Sequence, residues 1–445
     1  MYIPARINEV QSIETNRGPN WIHGAGENPI MNIAEATGAA MFDPEEGGHI
    51  AFAPDGQRVP EHVNAQVQDF VWTTISEAFK YSNEHGGKIP AEKSLLDFFR
   101  DRVQQTDLSD EVRRLCLDAC KVWGTYVGDQ VDRQSLRFFR LEECVDGSNF
   151  VVASTYKRIL EHVSKTALAK ADIRLNEPVT TINAPNRTPT TKPTITTTKA
   201  TYTFDEVVVT CPLGWLKQNT SAFNPPLPPR LQKAITNISY GRLEKVYITF
   251  PHAFWHQTEP TISAQFLEPQ YAPHPKHIEW NQECLSFAAL PSPHAHPTLL
   301  FYTYGESGAH IINSIQGLDP LSAEYKDVLT QALRPFYSRL PGYDGSEPTA
   351  FLATQWQKDE FAGNGSYCNF QAGVEEADVD IEVLRGDGMG LERGLWFAGE
   401  HTAPFVALGT TTGAYWSGER VAKGICGGLE GEARDDSLPS AVLRD

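Results

Sequence analysis

Between residues 62 and 168 apolar side chains return every three or four positions. Val63, Val67, Phe70, Val71, Ile75, Ala78 and Phe79 fall on one stripe, the pattern of a helix with a single buried face. The same spacing predicts helices from about Ser94 to Val103, from Glu111 to Trp123 and from Val151 to Leu168. From Ile173 onward the period shortens to that of strands. A Thr-rich extended stretch ends in the apolar run Val207, Val208, Val209, which predicts a hairpin leading into a core strand. PNRTPTTKPT within it reads as a lengthened surface turn. KVYITF (245–250) and TLLFYTYG (298–305) are further strands, and a helix over about 321–334 should end or kink at Pro335. LWFAG is a short buried strand, followed by a Gly/Thr loop and a helix to about Ala422, and the polar tail 431–445 is expected to be disordered.

Composition narrows the class. With 445 residues and 40% hydrophobic positions, the chain carries enough apolar surface to offset the entropy of ordering, and its length suits two or three domains. Its 38 basic and 56 acidic residues leave a net charge of −18, which argues against nonspecific nucleic-acid binding and favours cationic ligands. No apolar run has the length of a membrane-spanning helix. The opening MYIPARINEV lacks a signal-peptide pattern. The seven cysteines (116, 120, 144, 211, 284, 368 and 426) are scattered, without paired CxxC spacing, so reduced thiols, no metal site and a cytoplasmic location are expected.

The densest chemistry lies between Gly394 and Gly424. Gly413, Ala414, Ser417 and Gly418 strip side-chain bulk from the start of a helix, where free N–H groups and the positive dipole end suit an anion or an electron-rich ring. The same small residues equally suit tight packing on a neighbouring helix or sheet.

LWFAGEHT followed by TTGAYWSG resembles the C-terminal signature of the flavin-containing amine oxidases, the family of polyamine oxidases, monoamine oxidases and lysine-specific histone demethylases. GPNWIHG (18–24), CPLGWLK (211–217) and GRLEKVYITFPHAFW (241–255) match further family segments in the same order, over about residues 5–425, with the polyamine-oxidase branch the most similar. The resemblance implies an α/β fold with an α+β substrate domain: a discontinuous FAD-binding domain (1–44, 148–241, 375–430) and a substrate domain (45–147, 242–374) with a mixed sheet flanked by the helices of 62–123. It implies FAD as cofactor, with Arg6, Trp21, Val179, Trp356, Gly399, Glu400, Thr410 and Thr411, beside Thr412, on the cofactor, and with Lys245, Tyr367 and His23 at the reacting centre. Lys245 would hold a water beside the flavin and serve its reoxidation by oxygen. The implied reaction is oxidation of a polyamine-like amine to an imine with formation of hydrogen peroxide. A homologue without stable FAD, and an oxidase of amino acids or peptidyl lysine, remain as alternatives.

The family pattern departs in two places. Its G-x-G-x-x-G turn, which would precede PARINEVQ, occurs nowhere in these residues, so the expectation is an FAD-binding domain incomplete at its N terminus that holds the cofactor weakly. Asn16 and Arg17 stand where relatives usually carry an Asp followed by an apolar residue.

Overall fold

The computed structural model describes residues 5–6, 14–15, 17–44, 48–188, 190–257 and 260–430. The tail 431–445 and the side chain of Arg6 lie outside the described residues.

A six-stranded sheet holds the largest core. Its strands run in the order Ala350–Ala353, Glu244–Thr249, Thr298–Thr303, Gln282–Ser286, Thr261–Phe266, Gly48–Phe52, antiparallel except for the last, parallel pair. Alternation along Glu244–Thr249 sorts its side chains to two faces. Val246 and Ile248 pack with Phe266, Phe301 and the helices Gly305–Ser314 and Ala323–Tyr337. Tyr247 faces the other way, into a cluster with Leu300, Tyr302, Leu352 and Trp21. The strand therefore has no solvent-facing side, and Lys245, one residue before Val246, is buried with it.

The helices predicted from the early stripe are present at Glu61–His85, Leu95–Val103 and Asp110–Lys121. They pack Val67, Val71, Phe99 and Cys120 into one core that also takes Ala51 and Leu267 from the sheet, at about 2 kcal/mol for each large apolar side chain buried. A further core gathers around the parallel pair Val207–Val209 and Leu395–Phe397, with the strands Val179–Asn183 and Phe223–Asn224 and the helices Pro229–Asn237 and Ala377–Arg385. All seven cysteines are free. Among the described residues no helix is long and apolar enough to cross a membrane.

Three expected elements differ. Val151 and Val152 do not begin a helix; they pair as a strand with Trp21–Ile22 and Met41–Phe42, and the helix begins at Lys157, as suits β-branched residues. Pro335 lies inside the helix, which continues to Tyr337; so near the end little hydrogen bonding remains to be lost. The last helix runs to Glu430 rather than Ala422. It passes Gly424 because that residue lies flat against the Trp396 ring, where a Cβ would come within 2.7 Å.

Candidate active site

Glu244 and Lys245 start the central strand as adjacent buried charges. Lys245 is 7% exposed, and its ammonium donates to the carbonyl of Gly18 and the side-chain oxygen of Asn20. Burial lowers its pKa to about 7, with Glu244 pulling the other way. Both strand-side groups of Lys245 are tied to Thr354, through Lys245 N–H to Oγ1 and Thr354 N–H to the lysine carbonyl, each 2.9 Å. The hydroxyl of Thr354 in turn donates to Glu244 (2.5 Å), which also accepts from the amide of Gln357 at 2.8 Å. Those contacts clamp the short turn Trp356–Lys358 beside the lysine, so half-buried Trp356 is positioned by Glu244.

The Gly18–Gly24 segment wraps over this strand. The Trp21 indole donates to the Tyr302 hydroxyl (3.0 Å), and its ring stacks on His23 at 6.3 Å between centroids. His23 sits 3.3 Å from Asn149 Oδ1, and burial lowers its pKa, so it is neutral at pH 7. Tyr156 hydroxyl bonds to the Trp21 carbonyl and lies 3.2 Å from the Thr411 hydroxyl, joining the segment to the start of the last helix.

At that start Thr410 is the N-cap: its hydroxyl oxygen accepts from Gly413 N–H at 3.0 Å. No described group accepts from the amides of Thr411 and Thr412. Gly413 needs its missing side chain for packing, since a Cβ would lie 2.0 Å from the Ala407 carbonyl, whereas at Gly418 nothing would be met within 4 Å. Gly399 N–H donates to Ser417 Oγ at 2.9 Å. Glu400 accepts from the amide of Cys368 at 3.2 Å, and burial raises its pKa to about 7. Its neighbour His401 is held neutral by burial, with a pKa lowered to about 4, so among the described residues Glu400 has no cationic partner. Tyr367 donates to the Tyr126 carbonyl at 2.6 Å and lies beside Gly409.

Lys245, Trp21, His23, Trp356, Tyr367, Glu400 and Thr410–Thr411 are therefore linked through direct contacts or one intervening residue. Val179 is not: it is 38% exposed on the strand Val179–Asn183, opposite Thr197. Asn20, Tyr156, Glu244 and Thr354 organise the site without having been singled out by sequence; only the adjacent charges Glu244 and Lys245 on an apolar strand carried a readable signal. Three features suit a flavin ring: open space at Gly18 beside the lysine, two unspent amides at a helix start, and a half-buried carboxylate with no cation beside it among the described residues.

A family model for flavin containing amine oxidoreductases matches residues 8–426. Polyamine oxidase 4 of Oryza sativa subsp. japonica is 26% identical over 416 residues, covering 90% of this chain and 76% of that protein. Probable polyamine oxidase 4 of Arabidopsis thaliana is 24% identical over 359 residues, 77% of this chain, and the chain spans just under two thirds (65%) of its length. Among solved structures, a putrescine oxidase redesigned in its cofactor binding superposes with a TM-score of 0.65 at 16% identity, covering 96% of this chain and 90% of that one.

Proposed function

This chain belongs to the flavin containing amine oxidoreductase family, and from that premise we propose that it oxidises an aliphatic, polyamine-like amine with FAD and oxygen. When bound, FAD would take a hydride (two electrons and one proton) from the amine carbon while the nitrogen gives up the second proton, and would pass both electrons to oxygen, which with two protons becomes H2O2, so that amine and O2 give imine and H2O2. In this reading the amides of Thr411 and Thr412 and the helix dipole stabilise negative charge on the pyrimidine edge. Glu400 would help hold the cofactor's ribityl and phosphate region. Trp356 and Tyr367 exclude water around the substrate nitrogen, which favours the neutral amine.

The observation that carries the reading is Lys245. A lysine with its pKa lowered to about 7 exchanges a proton readily at neutral pH, and its fixed contacts with Gly18 and Asn20 let it hold and orient one water. The surroundings favour an amine over a carboxylate substrate, because they hold carboxyl groups whose pKa burial raises, among them Glu142, Glu244 and Glu400, which attract cations when ionised. The test is anaerobic mixing of the FAD-loaded protein with spermidine, an acetylated polyamine, lysine and a lysyl peptide. Bleaching of the flavin by the polyamines, followed by peroxide release on admitting oxygen, is expected. No bleaching by any amine overturns the reading.

A further inference from the structure

At the edge of the six-stranded sheet Gly48–Phe52 runs parallel to Thr261–Phe266, and the register sets His49 beside Ser263. One residue, Ile262, is inserted between the pairs Thr261 with Gly48 and Ser263 with His49, a bulge of the kind that re-aims a side chain. Gly48 permits the close approach of the two strands, since a Cβ on it would lie 1.9 Å from the Pro260 carbonyl. As a result His49 Nδ1 lies 2.7 Å from Ser263 Oγ, while His49 Nε2 lies 2.9 Å from the Pro44 carbonyl.

These two contacts fix where the proton sits. A carbonyl only accepts, so in the neutral imidazole Nε2 must carry the hydrogen and Nδ1 the lone pair. Ser263 must therefore donate its hydroxyl to Nδ1. A hydroxyl that donates to a base, with the base oriented by a third group, is the arrangement of an activated nucleophile. We propose that Ser263 is a nucleophile, with His49 as its general base, that takes the acyl group of activated carboxylic esters.

The pair is within reach of solvent, with His49 exposed and Ser263 half-buried. It is also held in place: Asn64 donates to the His49 carbonyl at 3.0 Å, and the ring is tied at both nitrogens, so little freedom remains to be lost on reaction. The strand of Ser263 is the third across from that of Lys245, about 14 Å away at the usual strand spacing, and the step needs no flavin. Ser263 Oγ bonds to the acyl carbon as its proton passes to His49 Nδ1. The ester C–O bond breaks, and the departing oxygen takes that proton from the imidazolium, whose Nε2–H the Pro44 carbonyl stabilises meanwhile. One water, deprotonated by the same base, then restores the hydroxyl, so that ester and water give acid and alcohol. General-base help of this kind is worth on the order of 100-fold, which suits esters with good leaving groups.

The test incubates the protein with p-nitrophenyl acetate, follows release of p-nitrophenolate, and locates the acetyl group by peptide mass mapping. Acetyl on Ser263 is expected, at a rate that rises with pH as the imidazole loses its proton and then levels off. His49→Gln keeps a polar side chain but removes the base; acetylation of Ser263 should slow by at least about tenfold and lose that pH profile. Ser263→Ala should leave this peptide unlabelled. If Ser263 carries no acetyl, or if His49→Gln matches the wild type in rate and profile, the contact is only a bond between strands and the proposal falls. The profile of the wild type needs no variant to fold, and acetylation of Ser263 that does not rise through the imidazole range overturns the proposal by itself.

Discussion

Thr412 donates its hydroxyl to the side-chain oxygen of Asn28 at 2.9 Å, joining positions 384 residues apart. The same oxygen caps the helix Pro29–Ala36 by accepting from Ile30 N–H at 3.0 Å, while the Asn28 amide donates to the carbonyls of His23 (3.0 Å) and Gly24 (2.7 Å). One fully buried carboxamide thus sets the Gly18–Gly24 segment against the start of the last helix.

Asn28→Ala should destabilise the protein by about 2–4 kcal/mol, because buried carbonyls and a hydroxyl lose their partner. Asn28→Asp should cost more, since it sets an oxygen against two carbonyl oxygens. Denaturant midpoints measure both, and a loss for the alanine variant no larger than that of a surface substitution would count against this hub.

Two glycines of one helix should respond oppositely. Gly413→Ala drives a Cβ to 2.0 Å from backbone at Ala407, where no side chain is available to give way; a loss of about 1–3 kcal/mol and weaker flavin retention are expected. Gly418→Ala meets nothing within 4 Å on the exposed side of the same helix and should gain up to about 1 kcal/mol from helix propensity. Equal effects in thermal unfolding would remove the packing explanation for Gly413.

These glycines mark how far the sequence could be read. Periodicity located the helix of Glu61–His85 and two of the six strands, Glu244–Thr249 and Thr298–Thr303, because each has one apolar face or a continuous buried run; it missed the other four, among them Gln282–Ser286, which lies in a stretch whose Pro and His residues read as loop. It mistook Val151 and Val152 for a helix start, since two β-branched residues look alike in either element until their strand partners, Trp21–Ile22 and Met41–Phe42, are known. The motifs pointed to Lys245, Trp21 and Glu400, but the residues that hold them, Asn20, Asn28, Tyr156 and Thr354, are ordinary polar side chains whose roles arise only from contacts across hundreds of residues.

Glu400 should impose a pH dependence on the cofactor-free protein. Its folded pKa is raised to about 7 against about 4.3 unfolded, so the folded state binds the proton more tightly. The associated stability is fully present below about pH 4.3 and is lost as pH rises through 7, an effect on the order of 1–3 kcal/mol. Glu142, raised to about 8, acts in the same direction, so the diagnostic is a difference. Between pH 5 and 8 the stability of Glu400→Gln should fall less than that of the wild type, as urea midpoints at the two pH values would reveal. Parallel slopes would contradict a raised pKa at this position.

Lys245→Met separates the role of the lysine from that of the rest of the site. Methionine is close to lysine in length and apolar, so it fills the buried position while removing the charge and its contacts with Gly18 and Asn20. Below pH 7 the variant also avoids burying an ammonium, since the folded pKa near 7 lies well under the 10.5 of a free lysine; at those pH values lost hydrogen bonds and relieved desolvation oppose one another, and the net stability change should be small. The amides at Thr411–Thr412 and the carboxylate of Glu400 belong to other elements and are untouched, so flavin retention should change little. Reoxidation of the reduced enzyme by oxygen should slow by roughly tenfold or more, the consequence of losing one oriented, charge-assisted contact near the reacting atoms. Rapid mixing of reduced enzyme with oxygen measures the rate and equilibrium dialysis of FAD measures retention. Normal reoxidation would reduce Lys245 to a structural residue, and loss of FAD at normal reoxidation would move it from the reacting centre to cofactor binding.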